Sequence, residues 1–336
     1  MRRAVFLAWH RRIALVFAPL MLLQALTGAA LLFRDPLERA FHPAVSHGPV
    51  LPVSALAQAA QARGARLDRL FFPTSPGLPA MAQLSGVGGS AEYAALDPAS
   101  GRIVRHGSVW AFPMEAALQW HYRLMTGAAG LAVVALGGLA LLVICGAGLG
   151  FWWPVRGRWG KSLTINPRMP ARIRLRHWHR SGGVVAAIML SFSAATGLLL
   201  AAPDILSGAG GRPEVLPPPS AAQIDAAMAL AQHTFPAARL RDVRFPRADR
   251  MDMNFLAPEQ GPRAVHVVSV RLSRPEVLKA VPADRNPVLW MKVLPLHAGD
   301  AFGLAGRILL LLEALVLGAL AVSGPVMWWQ QRKLRK

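Results

Sequence analysis

Cysteine is almost absent from this chain of 336 residues, which contains a single one. Cys145 lies within a long apolar stretch. A lone thiol excludes an internal disulfide, a cysteine-ligated iron–sulfur cluster and the CxxCH motif that attaches a cofactor through thioether bonds. Any prosthetic group in this protein must therefore be held without covalent bonds to cysteine.

Charged residues are also few, at 16% of the chain, while 54% of the residues are hydrophobic. This composition is too apolar for an ordinary soluble enzyme of this length. The first apolar stretch is too long for a signal peptide and is followed by a poor cleavage site, so we interpret it as a retained anchor. Four stretches are long enough to cross a hydrocarbon core about 30 Å thick, which takes roughly 20 helical residues; they are Ile13–Phe33, Leu124–Trp153, Gly183–Ala202 and Leu304–Trp329.

Acidic residues are missing from three strongly basic segments, residues 1–12, 154–180 and 330–336. If the chain crosses the membrane four times, these segments lie on one side, which is the positive-inside pattern. Both termini and the middle loop are therefore predicted to be cytoplasmic. The net charge of +20 is explained by this topology and by contact with the lipid bilayer, so it does not predict a nucleic-acid partner.

Four histidines stand where the apolar stretches begin, and they form two matched pairs. Each histidine of one pair follows a tryptophan and precedes a Thr-Gly dipeptide at the same offset. Each histidine of the other pair precedes glycines and a Trp-Trp dipeptide at equal offsets. These repeated spacings predict a tandem duplication of a helix pair. The matched residues are His10 with His179 and His121 with His297.

The two segments outside the membrane are each predicted to form a small module of one helix and several strands. Ser220 is predicted to be the N-cap of the second module's helix, after the linker Pro217-Pro218-Pro219. The predicted helices are Val53–Ala62 and Ala221–His233. The predicted strands are Leu67–Phe72, Ala80–Leu84, Tyr93–Leu96, Arg102–Arg105, Leu240–Phe245, Met251–Phe255 and Ala264–Leu272, with a turn at Asp97-Pro98-Ala99-Ser100-Gly101.

The predicted fold is a mainly α membrane protein, with a four-helix transmembrane bundle and two small α+β modules outside it. The predicted segments are residues 1–33 (N-terminus and transmembrane helix 1), 34–120 (module 1), 121–153 (transmembrane helix 2), 154–180 (basic cytoplasmic loop), 181–202 (transmembrane helix 3), 203–296 (module 2), 297–329 (transmembrane helix 4) and 330–336 (cytoplasmic tail).

This topology determines which histidines can meet. His10 and His179 belong to the cytoplasmic face, and His121 and His297 belong to the opposite face. Two neutral imidazoles from facing helices make a six-coordinate, low-spin haem iron suited to electron transfer. The pairs therefore predict two non-covalently held b-type haems. The alternatives are that the histidines are polar residues at helix ends, and that His177 replaces His179 as a ligand.

Nearby arginines and one acid extend this prediction. The arginines are expected either to pair with haem propionates or to act only as topology charges at the lipid headgroups. Glu313 is the one acid well inside an apolar stretch, which makes it a candidate proton acceptor or a protonated group bonded to a neighbour such as Gln24. The arginines of this prediction are Arg11 and Arg180 on the cytoplasmic side and Arg123 and Arg307 on the other side.

The motifs together resemble a known family over essentially the whole chain. Trp-His-Arg followed by Thr27-Gly28 and by Thr196-Gly197, and histidines followed by spaced glycines and Trp-Trp, resemble the PepSY-associated transmembrane proteins. The turn of Leu96, Asp97, Pro98, Gly101, Arg102 and Ile103 resembles that of PepSY domains. The second module departs from this pattern and has Leu272-Ser273-Arg274-Pro275-Glu276 instead.

Within that family, the size and four-span layout look most like the di-haem ferric-siderophore reductases of the bacterial inner membrane. The resemblance implies PepSY-like modules in the periplasm, a ferric siderophore as substrate, and quinol or a cytoplasmic reductase as electron donor. Two other functions stay open. One is a non-redox siderophore transporter or accessory protein, and the other is a PepSY-based regulatory or scaffold protein in the membrane.

Overall fold

A computed structural model describes residues 2–62, 64–73, 75–86, 89–207, 218–247 and 249–333. The chain divides into two compact units. The helical unit comprises the described residues of Met1–Leu32, Ala117–Ala209 and Val293–Lys336, and the sheet unit comprises those of Phe33–Ala116 and Gly210–Lys292.

The helices alternate between long apolar rods and short amphipathic segments. In chain order they are α1 (Arg2–Leu32), α2 (Arg34–Phe41), α3 (Val53–Gln61), α4 (Pro113–Arg123), α5 (Ala128–Trp152), α6 (Trp159–Leu163), α7 (Ala171–Ser207), α8 (Ala221–Thr234), α9 (Leu289–His297) and α10 (Gly303–Lys333). Four of them are long and apolar enough to cross a membrane, namely α1, α5, α7 and α10.

These four long helices pack as a bundle. Helix α1 contacts α5 and α10, and α7 contacts the same two helices, so α1 and α7 lie on one diagonal. Small side chains line the contacts, among them Ala25, Ala140 and Ala187, which are buried. Small residues allow the helix backbones to approach closely, which is how helices associate where no water drives them together.

The long helices extend beyond several of the predicted apolar stretches, and two boundaries, the starts of α5 and α7, have a clear physical reason. Leu124 and Met125 have positive φ angles of 47° and 60°, so the predicted span Leu124–Trp153 is interrupted and α5 begins only at Ala128. Apolar composition conceals this break because hydropathy does not report backbone dihedrals. Helix α7 begins at Ala171, inside the predicted loop 154–180, because arginines lower hydropathy without lowering helix propensity.

The sheet unit contains one continuous antiparallel sheet of eight strands. The strands are β1 (Arg66–Phe71), β2 (Ala80–Ser85), β3 (Ala91–Leu96), β4 (Ile103–Gly107), β5 (Leu240–Arg247), β6 (Arg250–Leu256), β7 (Val265–Arg271) and β8 (Glu276–Val281). Their order is β4-β3-β2-β1-β5-β6-β7-β8. The four strands of each sequence half are thus contiguous, and the halves join where β1 pairs with β5.

Helices α3 and α8 pack side by side against one face of this sheet. Leu56 of α3 and Ile224 of α8 are almost fully buried against Leu70 and Val243, which lie opposite each other in β1 and β5. The predicted helices, the turn at residues 97–101 and the Ser220 cap are confirmed. Ser220 forms a complete capping box with Gln223. Part of the predicted linker, at Pro217, lies outside the described residues.

One strand and several short helices were not predicted from the sequence. Strand β8 has a mostly exposed pattern, so it lacks the apolar alternation by which strands are recognised. Helices α2, α4 and α9 are short and flank the long helices. Polar or proline residues in them, such as Arg34, Pro113 and Pro295, interrupt the apolar pattern without ending the helix.

Candidate functional site

The first histidine pair brings together the two diagonal helices of the bundle. His10 of α1 and His179 of α7 have ring centroids 6.3 Å apart, with ring planes at 87°. The ring beside His10 is therefore that of His179, the residue that the repeat spacing selects. His177 lies two residues earlier, on a different face of α7. Both paired histidines lie in the N-terminal part of their helices.

The second pair forms at the opposite ends of these helices. His121 lies in the last turn of α4 and His297 is the last residue of α9. Their ring centroids are 6.2 Å apart, with planes at 52°. His121 contacts α1 at Thr27. Since an α-helix rises 1.5 Å per residue, the path from His10 to Thr27 along α1 spans about 25 Å. The two pairs are therefore separated by most of a hydrocarbon core.

Each histidine of the first pair uses its Nδ1 atom for a hydrogen bond to the protein. His10 Nδ1 lies 2.9 Å from the carbonyl oxygen of Ile144, which can only accept, so Nδ1 carries the proton. His179 Nδ1 lies 2.8 Å from Ser323 Oγ. With Nδ1 protonated, Nε2 of His10 carries the lone pair that can bind a metal.

The second pair repeats this arrangement with threonine. Thr27 Oγ1 donates to the carbonyl oxygen of Leu23 at 2.7 Å, so it is free to accept from His121 Nδ1 at 3.0 Å. Thr196 Oγ1 donates to the carbonyl oxygen of Phe192 at 2.9 Å and lies 3.0 Å from His297 Nδ1. Such partners orient metal-binding imidazoles and fix their tautomer. The sequence shows the Thr-Gly dipeptides, but their role emerges only from these contacts.

Every paired histidine also lies against a glycine. A Cβ atom placed on Gly28 would lie 3.1 Å from His121 Cε1, and one on Gly197 would lie 3.3 Å from His297 Cε1. The corresponding distances are 3.2 Å from Gly148 to His10 and 3.6 Å from Gly324 to His179. The glycines of the repeated motifs therefore provide space for the imidazole rings. Gly28 and Gly197 occupy equivalent positions in the two sequence halves, and they contact equivalent histidines. The same is true of Gly148 and Gly324.

The pair geometry fits two imidazoles on opposite sides of one metal ion. A first-row metal bonds an imidazole nitrogen at about 2 Å, and a ring nitrogen lies about 1.1 Å from the ring centre, so trans imidazoles have centroids about 6 Å apart. Both pairs have this spacing. Within the described residues no cluster of three or more His, Cys, Asp or Glu side chains is placed to hold a metal. Two ligands per site suit a metal whose other ligands belong to a macrocycle such as haem.

Buried polar atoms without a protein partner lie close in sequence to the paired histidines. Among the described residues they include His177 Nδ1 and Arg180 Nε beside His179, and Gln24 Nε2 one turn before Thr27. Trp152 Nε1, one turn beyond Gly148, is also buried and has no hydrogen-bond partner among the described residues. Native proteins rarely leave buried donors unpaired. These atoms are therefore consistent with a polar group bound beside each pair.

The predicted propionate partners differ in how they are engaged. Arg123 forms an ion pair with Asp204, whose carboxylate also accepts from Tyr122 at 3.1 Å. Arg307 pairs with Asp300 at 2.9 Å. Arg180 donates from Nη2 to the carbonyl oxygen of Thr164 at 3.2 Å, and Arg11 is exposed. Arg123 and Arg307 thus already have carboxylate partners, whereas Arg180 retains an unpaired Nε.

Glu313 is buried within α10, with 9% of its surface exposed. Its Oε2 accepts a hydrogen bond from Ser193 Oγ at 3.0 Å, so its partner is Ser193 and not Gln24. The carbonyl oxygen of Ser193 also accepts a hydrogen bond at 3.1 Å from Thr196 Oγ1, which lies 3.0 Å from His297 Nδ1. Ser193 therefore connects the buried acid to the second histidine pair. The matched residue in the first half is Gln24, whose carbonyl oxygen lies 3.4 Å from Thr27 Oγ1, the partner of His121 Nδ1.

Comparison with known proteins agrees with the helical architecture. Residues 7–331 match a family model described as the PepSY-associated TM region. No curated protein matches the chain.

Proposed function

The chain belongs to the PepSY-associated TM region family, and from that premise we propose that it carries electrons across a membrane to reduce a ferric siderophore. The observation that carries this proposal is the pair of bis-histidine sites, one near each end of the bundle. When bound, two b-type haems would supply reversible one-electron Fe(III)/Fe(II) chemistry at low reorganisation cost.

The matched contacts of the two sequence halves support the two-site proposal. Histidines at matched offsets contact glycines and Nδ1 partners at matched offsets. In this proposal the two halves arose by tandem duplication, and the contacts that both halves keep serve the same purpose in each. Histidines that only capped helix ends would have no reason to meet in pairs.

The protein's contribution is to orient and separate the sites. The Nδ1 bonds hold each imidazole with Nε2 available, and the glycines leave room for the ring. Glu313, connected to His297 through Ser193 and Thr196, is the proton acceptor in this proposal. A carboxylate inside an apolar membrane helix is costly, so its presence there favours a functional role.

The direction of transfer follows from the charge pattern. In this proposal both termini and the 154–180 loop lie in the cytoplasm of a bacterial cell and the sheet unit lies in the periplasm, which the positive-inside pattern of the basic segments supports. Electrons would enter at the His10–His179 side from quinol or a cytoplasmic reductase. They would leave at the His121–His297 side to the periplasmic siderophore. Reduction to Fe(II) weakens binding by hard oxygen ligands and releases the metal for uptake.

The test is a reduced-minus-oxidised optical spectrum of the detergent-purified protein, with pyridine haemochrome quantitation. We expect low-spin b-type bands and about two haems per chain. His10→Ala and His121→Ala should each remove one haem, while His47→Ala, at an exposed position of the sheet unit, should remove none.

In Glu313→Gln, both haems should remain, and the potential of the His121–His297 centre should lose pH dependence.

A colourless protein from haem-replete cells would contradict the reductase proposal. The non-redox transporter or accessory function would then be favoured. If function survived loss of all four histidines but not changes in the sheet unit, a regulatory or scaffold role would be favoured instead.

A further inference from the structure

A cluster of three arginines surrounds one buried aspartate at the junction of the two halves of the sheet. Asp242 of β5 is fully buried, with 0% of its surface exposed. It accepts from Arg69 Nε at 3.0 Å and from Asn254 Nδ2 at 2.9 Å. Arg244 and Arg241 complete the cluster, with ion-pair distances of 3.4 and 3.8 Å to Asp242.

Asp242, Arg69 and Arg244 lie on the sheet face opposite α3 and α8, and Arg241 reaches Asp242 where the β5–β6 register shifts between Leu240 and Asp242. Leu70 and Val243 face the helices, and side chains alternate along a strand. Arg69 and Arg244, which are paired in the β1–β5 register, therefore face the other way. The cluster remains open to solvent, because the side chain of Arg244 is 43% exposed and those of Arg69 and Arg241 are 20% exposed.

The arginine cluster has more positive charge than its carboxylate can balance. Burial lowers the pKa of Arg69 to about 10; Asp242 opposes this decrease, and Arg244 and Arg241 add to it. Asp252, opposite Arg244 in the β5–β6 register, is bonded to Arg250. Three guanidinium groups held around one aspartate repel each other and leave an uncompensated charge of about two. An anion is the ligand that would relieve this repulsion.

Two further features favour an anion with carboxylate oxygen atoms. Arg241 Nη1 is buried and has no hydrogen-bond partner among the described residues. The guanidinium of Arg241 lies 5.1 Å from the centroid of Trp290, and that of Arg69 lies 4.0 Å from Phe71. Stacking keeps each guanidinium plane fixed so that its donors can bind carboxylates in a bidentate manner.

The geometry points to a binding site for a polycarboxylate anion at this arginine cluster, where the two sheet halves join. On the basis of the proposed function, that anion is the ferric chelate awaiting reduction. The same carboxylate chemistry could come from the metal-free polycarboxylate, and the test distinguishes the two sources.

The test is calorimetric titration of the full-length protein in detergent with citrate and with Ga(III) citrate. Ga(III) resembles Fe(III) as a hard trivalent ion but is not reduced, so binding is independent of electron transfer. We expect binding that weakens with salt, and at least a tenfold weaker affinity in Arg241→Gln/Arg244→Gln. Tighter binding of Ga(III) citrate than of citrate would identify the chelate as the ligand, and equal binding would identify the free polycarboxylate.

Arg271→Gln is the matched control, because Arg271 lies in β7 of the same sheet and pairs with Glu276 at 2.8 Å. It should bind as the unmodified protein does. Arg244→Gln alone provides a second variant, since its exposed side chain can be replaced with little risk to folding. Absence of binding to the unmodified protein, or equal affinity in the cluster and control variants, would overturn the inference. The haem spectrum of the same samples reports separately on the proposed function.

Discussion

Each paired histidine uses Nδ1 to bond the protein, and that single contact determines what the ring can do. A carbonyl oxygen or a hydroxyl already donating elsewhere forces the proton onto Nδ1, as at Ile144 and Thr27. The lone pair is then on Nε2. The sequence identified the four histidines through their repeated spacing. It could not identify Ile144 or Ser323 as partners, because these lie far along the chain and only packing brings them close.

Loss of one threonine hydroxyl should therefore weaken one site. In a His10→Ala background, which retains only the His121–His297 centre, Thr27→Val is expected to release haem about 10-fold faster, because partners of this kind contribute about 10- to 100-fold to metal affinity. The rate is measured by transfer to excess apomyoglobin. Thr196→Val should have the same effect because it holds His297 in the same way.

Thr164→Val is the matched control, since Thr164 Oγ1 bonds only the local carbonyl oxygen of Lys161 in an exposed loop. An unchanged release rate in both Thr27→Val and Thr196→Val would show that the hydroxyls do not support the ligands.

At the scale of elements, the turn between β3 and β4 is fixed by one carboxylate. Asp97 is fully buried and accepts from Ser46 Oγ at 2.6 Å, from the Ser46 N–H at 2.8 Å and from the Ala99 N–H at 3.0 Å. Burial alone would raise the pKa of Asp97, but these hydrogen bonds lower it well below its usual range. The Asp-Pro turn motif predicted the turn. It did not predict that Asp97 would also accept hydrogen bonds from Ser46, which lies far away in the sequence.

Asp97→Ala is expected to destabilise the sheet unit by about 2 kcal/mol, because the Ser46 and Ala99 donors lose their bonds to one buried carboxylate. Since the pKa of folded Asp97 lies below that of the unfolded chain, its stabilising effect is complete above about pH 4 and declines as the pH falls further. The measurement is hydrogen exchange of residues 97–101 at pH 7 and at pH 3. Asp284→Asn, at an exposed position, is the control. Equal protection in Asp97→Ala and the unmodified protein would contradict this assignment.

The join between β1 and β5 is the element-scale feature that the sequence could not reveal. Each half of the chain contains a recognisable helix and strands, so two modules are predicted. Whether they share a sheet depends on pairing between residues such as Leu70 and Val243, which are far apart in sequence. The arginine cluster follows from that pairing, because its members come from both halves. Arg69 alone resembles any surface arginine.

At the scale of the whole molecule, the four long helices and their order are predictable because hydropathy and helix length are local properties. The break at Leu124 and the early start of α7 at Ala171 are not, because they depend on backbone dihedrals and on helical residues beyond the apolar stretch. The orientation of the bundle across the membrane depends on charge. Moving guanidinium groups across a hydrocarbon core is costly, so the acid-free basic segments should remain cytoplasmic.

Single cysteines tested with a membrane-impermeant maleimide measure this orientation. In a Cys145→Ala background, which leaves no natural thiol, we expect His47→Cys to be labelled in intact spheroplasts, because the proposal places the sheet unit in the periplasm. Arg158→Cys, in the basic loop after α5, should be labelled only after the membrane is permeabilised. Both positions are exposed, so a difference in labelling reports the side of the membrane and not burial. The unmodified protein, whose Cys145 is buried, should stay unlabelled throughout. The reverse pattern would place the His10–His179 pair on the outer side and reverse the proposed direction of electron flow.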